Sequence, residues 1–181
     1  MNRKIRKLDF DEIQAMQLSV EEENRSVRLP VVVVLENVRS LYNVGSMFRT
    51  ADGAGIDKLY LTGYTGYPPR KEIDKTALGS TESVTWEHNT DTLALLQNLK
   101  AQGYQLVVVE HTDSSVPYTK AGYQFPVCIV LGNEVDGVTR EVVEMCDMAI
   151  NIPMRGIKQS LNVAVACGIV LYHVTALCAG E

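Results

Sequence analysis

Val31-Val32-Val33-Val34-Leu35 is an unbroken apolar run, and four of its five residues are β-branched. A strand with one wet face alternates apolar and polar side chains. A run that is apolar at every position reads as a strand covered on both faces, as in a parallel sheet clothed by helices. Pro30 punctuates the chain on the N-terminal side of the run. On the other side, Asn43 to Ala54 places Val44, Met47, Phe48 and Ala51 on one helical face. Further strands are predicted at Lys58 to Leu61, Val84 to Glu87, Gln105 to Glu110, Val127 to Leu131 and Ala149 to Ile152. Helical patterns fall between or after them at Asp91 to Ala101, Thr139 to Cys146 and Ser160 to Leu177. Strands alternating with helices predict an α/β fold, a mostly parallel sheet flanked by helices. In such sheets ligands collect beyond the carboxyl ends of the strands.

Upstream of the run, Phe10, Ile13, Met16 and Val20 recur at helical spacing, so residues 9 to 23 read as an amphipathic helix. The organisation expected is therefore an N-terminal helical extension over 1–30 and one domain over 31–181. A length of 181 residues leaves no room for a second catalytic domain, and 46% hydrophobic residues suffice for a sizeable core. The basic start, Arg3, Lys4, Arg6 and Lys7, leads into Leu8-Asp9-Phe10-Asp11-Glu12 and not into an apolar signal region. Val163 to Val174, the longest largely apolar stretch, is too short to cross a membrane. A cytoplasmic protein is expected.

Cys128, Cys146, Cys167 and Cys178 show no CxxC spacing and sit in apolar surroundings, which reads as buried free thiols. His88, His111 and His173 are scattered, and no metal site is indicated. The net charge of −5 argues at first against a nucleic-acid partner. The excess acid is local, however: residues 91–150 carry eight acidic and three basic side chains, whereas 1–90 carry thirteen and twelve. Basic groups at Arg39 and Arg49, at Arg70, Lys71 and Lys75, and at Arg155 and Lys158 permit RNA binding without requiring it.

Three strand ends carry the unusual residues. The first runs through Asn43 to Arg49, where the arginine is either a surface ion-pair member or a fork presented to a phosphate, with Asn43 orienting a neighbour. The second is Leu131-Gly132-Asn133-Glu134, where the glycine either makes a simple turn or lets backbone approach a ligand. The third is Ile152-Pro153-Met154 through Ser160-Leu161-Asn162. Ser160 as a helix N-cap would leave unexplained why Asn162, a poor helix former, follows two residues later. Neither GxGxxG after the first strand nor GxxxxGK[ST] is present. The Thr62 to Pro69 stretch, with Tyr64 and Tyr67, is either a mobile RNA-facing loop or an ordinary surface loop.

Taken together the three segments resemble the SpoU/TrmH family of RNA ribose 2'-O-methyltransferases, in the SPOUT class. Asn43-Val44-Gly45-Ser46 through Arg49-Thr50-Ala51-Asp52 is similar to the family's first motif. Leu131 to Gly137 is similar to its second, and Ile152-Pro153-Met154 through Ser160-Leu161-Asn162-Val163 to Tyr172 is similar to its third. The resemblance spans Val31 to Tyr172 in the family's order. It implies a C-terminal deep trefoil knot, an unusual feature that composition cannot suggest.

It also implies S-adenosyl-L-methionine bound against Leu131, Gly132, Ile152, Met154, Ser160 and Leu161, with Glu110 as a further candidate contact outside the motifs. Arg49, Asn43, Glu134, Ser160 and Asn162 are the implied catalytic set. Family members are homodimers with composite sites near the interface, so a homodimer acting on RNA is expected. By resemblance Arg49 activates the ribose hydroxyl. Arginine as a residue type holds its proton tightly, which favours Arg49 as a phosphate clamp over a literal base. With about 30 residues before the core and no added RNA-binding domain, transfer RNA is the substrate favoured over ribosomal RNA. The rival readings keep the fold: a catalytically silent RNA-binding protein, or an enzyme that methylates a base nitrogen.

Overall fold

The computed structural model describes residues 5–16 and 28–180. Among them are seven strands: β1 (Leu29–Glu36), β2 (Ile56–Thr62), β3 (Trp86–Asn89), β4 (Gln105–Val109), β5 (Val116–Pro117), β6 (Val127–Leu131) and β7 (Met148–Asn151). They form one sheet in the order β3-β2-β1-β6-β4-β7-β5, and every pairing is parallel. The helices are α1 (Phe10–Gln14), α2 (Leu41–Ala54), α3 (Lys71–Ala77), α4 (Ser80–Ser83), α5 (Thr92–Ala101), α6 (Arg140–Met145) and α7 (Val163–Ala179). This is the parallel α/β architecture expected from the sequence.

The valine run explains the layering. Val31, Val33 and Leu35 point into a core shared with Val44, Met47 and Phe48 of α2 and with Cys167, Val170 and Leu171 of α7. Val32 and Val34 point the other way, into a second core with Leu95, Leu96 and Leu99 of α5 and Val142 of α6. Side chains alternate across a strand, so a strand between two helical layers needs apolar residues at successive positions. Chain order runs outward from β1 to β3, resumes at β4 on the far side, and returns to insert β6 between β1 and β4. That reversal of direction sets a crevice at the carboxyl ends of β1, β6 and β4.

Several boundaries differ from the sequence reading. α2 begins at Leu41, two residues early, because the Ser40 hydroxyl caps it by accepting from the Asn43 N–H. α7 begins at Val163 and not at Ser160. β3 begins at Trp86, because Val84 ends α4. The charged α3, KEIDKTA, buries only Ile73 and Ala77, too sparse a pattern to predict. It packs where Gly45 lacks a Cβ, since one there would overlap the Ile73 carbonyl and the Thr76 side chain.

Of the predicted 9–23 helix, Phe10–Gln14 is helical and closed by an Asp9/Glu12 capping box, while 17–23 lie outside the described residues. Among the described residues its apolar side chains find no core: Phe10 and Met16 are 76% and 74% exposed. Arg6 of the basic arm pairs with Glu12, and Arg3 and Lys4 lie outside the described residues. Cys128 and Cys167 are buried free thiols and Cys146 and Cys178 are part-buried. Burial pushes the Cys167 thiol up to about 12. No helix among the described residues is long and apolar enough to cross a membrane.

Candidate active site

The loops after β4, β6 and β7 border one cavity of about 230 Å³. All seven residues expected to hold a cofactor line it: Glu110, Leu131, Gly132, Ile152, Met154, Ser160 and Leu161. Glu134 lines it as well. At Gly132, close backbone approach is the reason for the glycine, because a Cβ there would run into the backbone of Gly137 and Val138. The hairpin from Asn133 to Gly137 is closed by reciprocal backbone hydrogen bonds of 3.0 Å. Gly137 sits at φ 70°, a conformation that favours glycine, and the Asn133 Oδ1 accepts from the Val135 and Asp136 N–H groups inside the turn.

Glu134 joins the second segment to the first. Its carboxylate accepts from the Arg39 N–H (3.0 Å), the Ser40 N–H (3.0 Å) and the Asn43 Nδ2 (2.9 Å), all at the amino end of α2. Partial burial alone raises its pKa, but these donors outweigh that and hold the carboxyl below its ordinary value. A carboxylate at a helix N-terminus also meets the positive end of the helix dipole. Asn43 then joins the third segment: the Asn162 Nδ2 donates to the Asn43 Oδ1 at 3.1 Å. The three separated segments thus form one chain of hydrogen bonds, Glu134 to Asn43 to Asn162.

Asn162, and not Ser160, caps α7, its Oδ1 accepting from the Ala164 N–H at 2.9 Å. The sequence reading placed Asn162 inside the helix, where it looked anomalous. It is in fact at the helix end, where asparagine is favoured. One side chain therefore caps α7 and links it to α2, while Ser160 lies exposed on the cavity wall.

Arg49 is the residue that does not join this cluster. It stands six residues along α2 from Asn43, about 9 Å of helix. It lines a separate hollow of about 490 Å³ with Ser46, Thr50, Lys75, Thr76, Leu78 and Tyr172. The surface ion-pair alternative is not what is found: no carboxylate among the described residues pairs with Arg49 or Lys75.

Sequence reasoning missed several residues at the site. Asn133 is buried, and its Nδ2 donates to the Asn37 carbonyl (3.0 Å) and the Tyr64 hydroxyl (2.8 Å). His111 lines the cavity and its Nε2 lies 3.0 Å from the Gln159 carbonyl, joining the loops after β4 and β7. Glu110, already a candidate from the sequence, accepts from the Val138 N–H at 3.1 Å and so braces the second loop. Asn133 lies inside the second motif, and only its buried position distinguishes it. His111 and Gln159 gave no signal, because nothing local marks two loops that meet 48 residues apart. No group of His, Cys, Asp and Glu among the described residues is placed to hold a metal.

The SpoU rRNA Methylase family profile matches residues 30–172, which includes every segment of the cluster. The chain belongs to the SpoU family. The tRNA (guanosine(18)-2'-O)-methyltransferase of Aquifex aeolicus is 36% identical over 144 residues, 79% of this chain and 67% of the relative. The chain spans about two thirds or less of the length of the curated SpoU relatives it matches first. Among solved structures, the TrmH/SpoU tRNA modifying enzyme of A. aeolicus superposes with a TM-score of 0.79 at 32% identity, covering 90% of this chain and 86% of that one. An AdoMet-bound rRNA methyltransferase from Sinorhizobium meliloti gives 0.76 at 31% identity, covering 81% and 56%.

Proposed function

We propose that this chain is an S-adenosyl-L-methionine-dependent RNA methyltransferase that methylates a ribose 2'-hydroxyl, with transfer RNA as the substrate. The observation that carries this reading is the convergence of Glu134, Asn43 and Asn162 at the rim of a cavity lined by all seven cofactor-candidate residues. The activity of the A. aeolicus relative and the bound AdoMet of the S. meliloti structure support it.

The cavity suits the cofactor by its chemistry. Leu131, Ile152, Met154 and Leu161 offer apolar cover, the hairpin and loop backbones offer polar edges, and Glu110 and Glu134 place carboxylates near a cationic ligand. Bound there, the cofactor would supply an electrophilic methyl group on a sulfonium. The chain's own work is positioning. Glu134 fixes the start of α2 and Asn43, and Asn43 fixes Asn162. Ser160 offers an exposed hydroxyl on the cavity wall, and Arg49 clamps a phosphate of the RNA so that the ribose oxygen is held in line.

A homodimer reconciles the separation of Arg49 from the cavity. α7 is apolar nearly all round, yet Val165 and Tyr172 are exposed, as is Leu161 just before it. A helix of that composition calls for cover on both sides. Leu161 and Val163 border the cavity and Tyr172 borders the Arg49 hollow. A second copy seated on α7 would bring the hollow of one protomer toward the cavity of its partner. A tRNA-modifying role supports a cytoplasmic location. The family description and the S. meliloti relative favour ribosomal RNA as the second substrate reading.

The test is transfer of labelled methyl from S-adenosyl-L-methionine to unmodified tRNA transcripts and to ribosomal RNA, followed by digestion to nucleosides. Label on a 2'-O-methyl nucleoside is expected. Label on a base, or on neither RNA, overturns the reading.

A further inference from the structure

Tyr64 lies in the Thr62 to Pro69 loop, which is tied down along its length. Thr65 is buried, and its hydroxyl donates to the Leu35 carbonyl (2.8 Å) and accepts from the Val38 N–H (2.9 Å). The Gly63 N–H donates to the Asn89 carbonyl at 3.1 Å, and the His88 Nε2 lies 3.3 Å from the Gly63 carbonyl. The His88 ring in turn stacks on Tyr67 at 4.2 Å.

Tyr64 itself is held at both ends. Its backbone N–H donates to the Asn37 Oδ1 at 3.1 Å, and its hydroxyl accepts from the Asn133 Nδ2 at 2.8 Å. Asn37 makes the first of these contacts from the left-handed region, at φ 57°. A tyrosine fastened at backbone and hydroxyl would ordinarily be buried between them, but Tyr64 is 61% exposed. Its ring makes no aromatic contact among the described residues. The result is a fixed and largely exposed aromatic ring, hydrogen-bonded to Asn133, which lines the cavity next to Glu134. Arg70 and Lys71 lie exposed a few residues on and pair with no carboxylate among the described residues.

We infer that Tyr64 is a stacking platform for an unpaired RNA base beside the methylated nucleotide. The inference rests on the RNA methyltransferase reading above. Proteins that recognise unpaired RNA splay bases out and stack them on aromatic rings, with basic side chains holding the neighbouring backbone. A ring fixed in advance forfeits little freedom when the base arrives, so the contact translates into affinity. The anchoring also sets the ring's position from its hydroxyl edge while most of the side chain stays exposed.

The experiment measures binding of an unmodified tRNA transcript to the full chain, with S-adenosyl-L-methionine affinity measured in parallel. Tyr64→Ala and Tyr64→Leu should weaken RNA binding by about 5- to 150-fold, the equivalent of about 1–3 kcal/mol for one stacked base, with cofactor affinity unchanged. Tyr64→Phe keeps the ring and loses the Asn133 contact, and should stay within about threefold of wild type. Tyr64→Trp should also retain affinity, and its indole emission should fall on adding RNA. Wild-type affinity in Tyr64→Ala overturns the platform while leaving the methyltransferase reading intact. A Tyr64→Phe variant as weak as Tyr64→Ala also overturns it, by assigning the effect to the Asn133 anchor. If the wild-type chain binds neither tRNA nor ribosomal RNA, both readings fall together.

Discussion

Arg49 and Gly132 do opposite kinds of work at the residue scale. Arg49 is exposed, unpaired with any described carboxylate, and lines a hollow that shares no residue with the cavity proposed for the cofactor. Arg49→Ala should therefore abolish methyl transfer while leaving S-adenosyl-L-methionine affinity within about a few fold, since the contact proposed for it is to RNA phosphate. Near wild-type turnover in a single-turnover assay would refute the assigned role. Gly132 has no freedom to change. A methyl group there would meet the Gly137–Val138 backbone, which cannot yield as a flexible side chain can. Gly132→Ala should cost about 1–3 kcal/mol in urea unfolding and weaken cofactor binding, because relief comes only by moving the cavity wall. The sequence raised Gly132 without deciding between a simple turn and close approach to a ligand; in the structure what requires the glycine is the chain's own Gly137–Val138 backbone packed against it.

Among the elements, the amino end of α2 is where the second motif becomes structural. Glu134 accepts three hydrogen bonds from it and so remains ionised below the ordinary carboxylate range. A carboxyl whose pKa is lowered on folding contributes stability above its unfolded pKa and loses it as pH falls through the folded value. Asp147 behaves alike: burial would raise its pKa, but Lys100 and the Leu106 N–H hold it down. Stability should be flat through neutral pH and fall below the ordinary carboxylate range. Glu134→Gln should be less stable at neutral pH, by about 1–3 kcal/mol, because an amide presents a donor to donors. It should also lose part of the acid dependence, read as urea midpoints across a pH series. An unchanged acid profile would remove Glu134 from this role. Periodicity located α2 to within two residues and α7 to within three. It left the cap of α7 undecided, because both Ser160 and Asn162 are cap-forming types.

For the molecule as a whole, the exposed apolar residues of α7 and the divided site make the same demand. Val165→Glu places a charge on the uncovered face of α7 without touching either hollow's lining residues. It should convert a dimer to a monomer in light scattering and abolish methylation while the isolated chain stays folded by circular dichroism. A wild-type chain that is monomeric and active would defeat the composite-site proposal.

The resemblance to the family pointed to the segments that would meet; residue order alone was enough to establish the sheet's parallel character and the two-sided burial of β1. The latter two follow from side-chain periodicity and from residue types a few positions apart. The folded chain was needed to establish that Asn162 caps one helix while bonding to another, that Asn133 anchors Tyr64, and that Arg49 stands apart from the cavity. Glu134 reaches Asn43 across 91 residues and Asn162 reaches it across 119. Contacts at such separations are set by the return of β6 into the middle of the sheet, and local sequence carries no measure of which loops that return brings together.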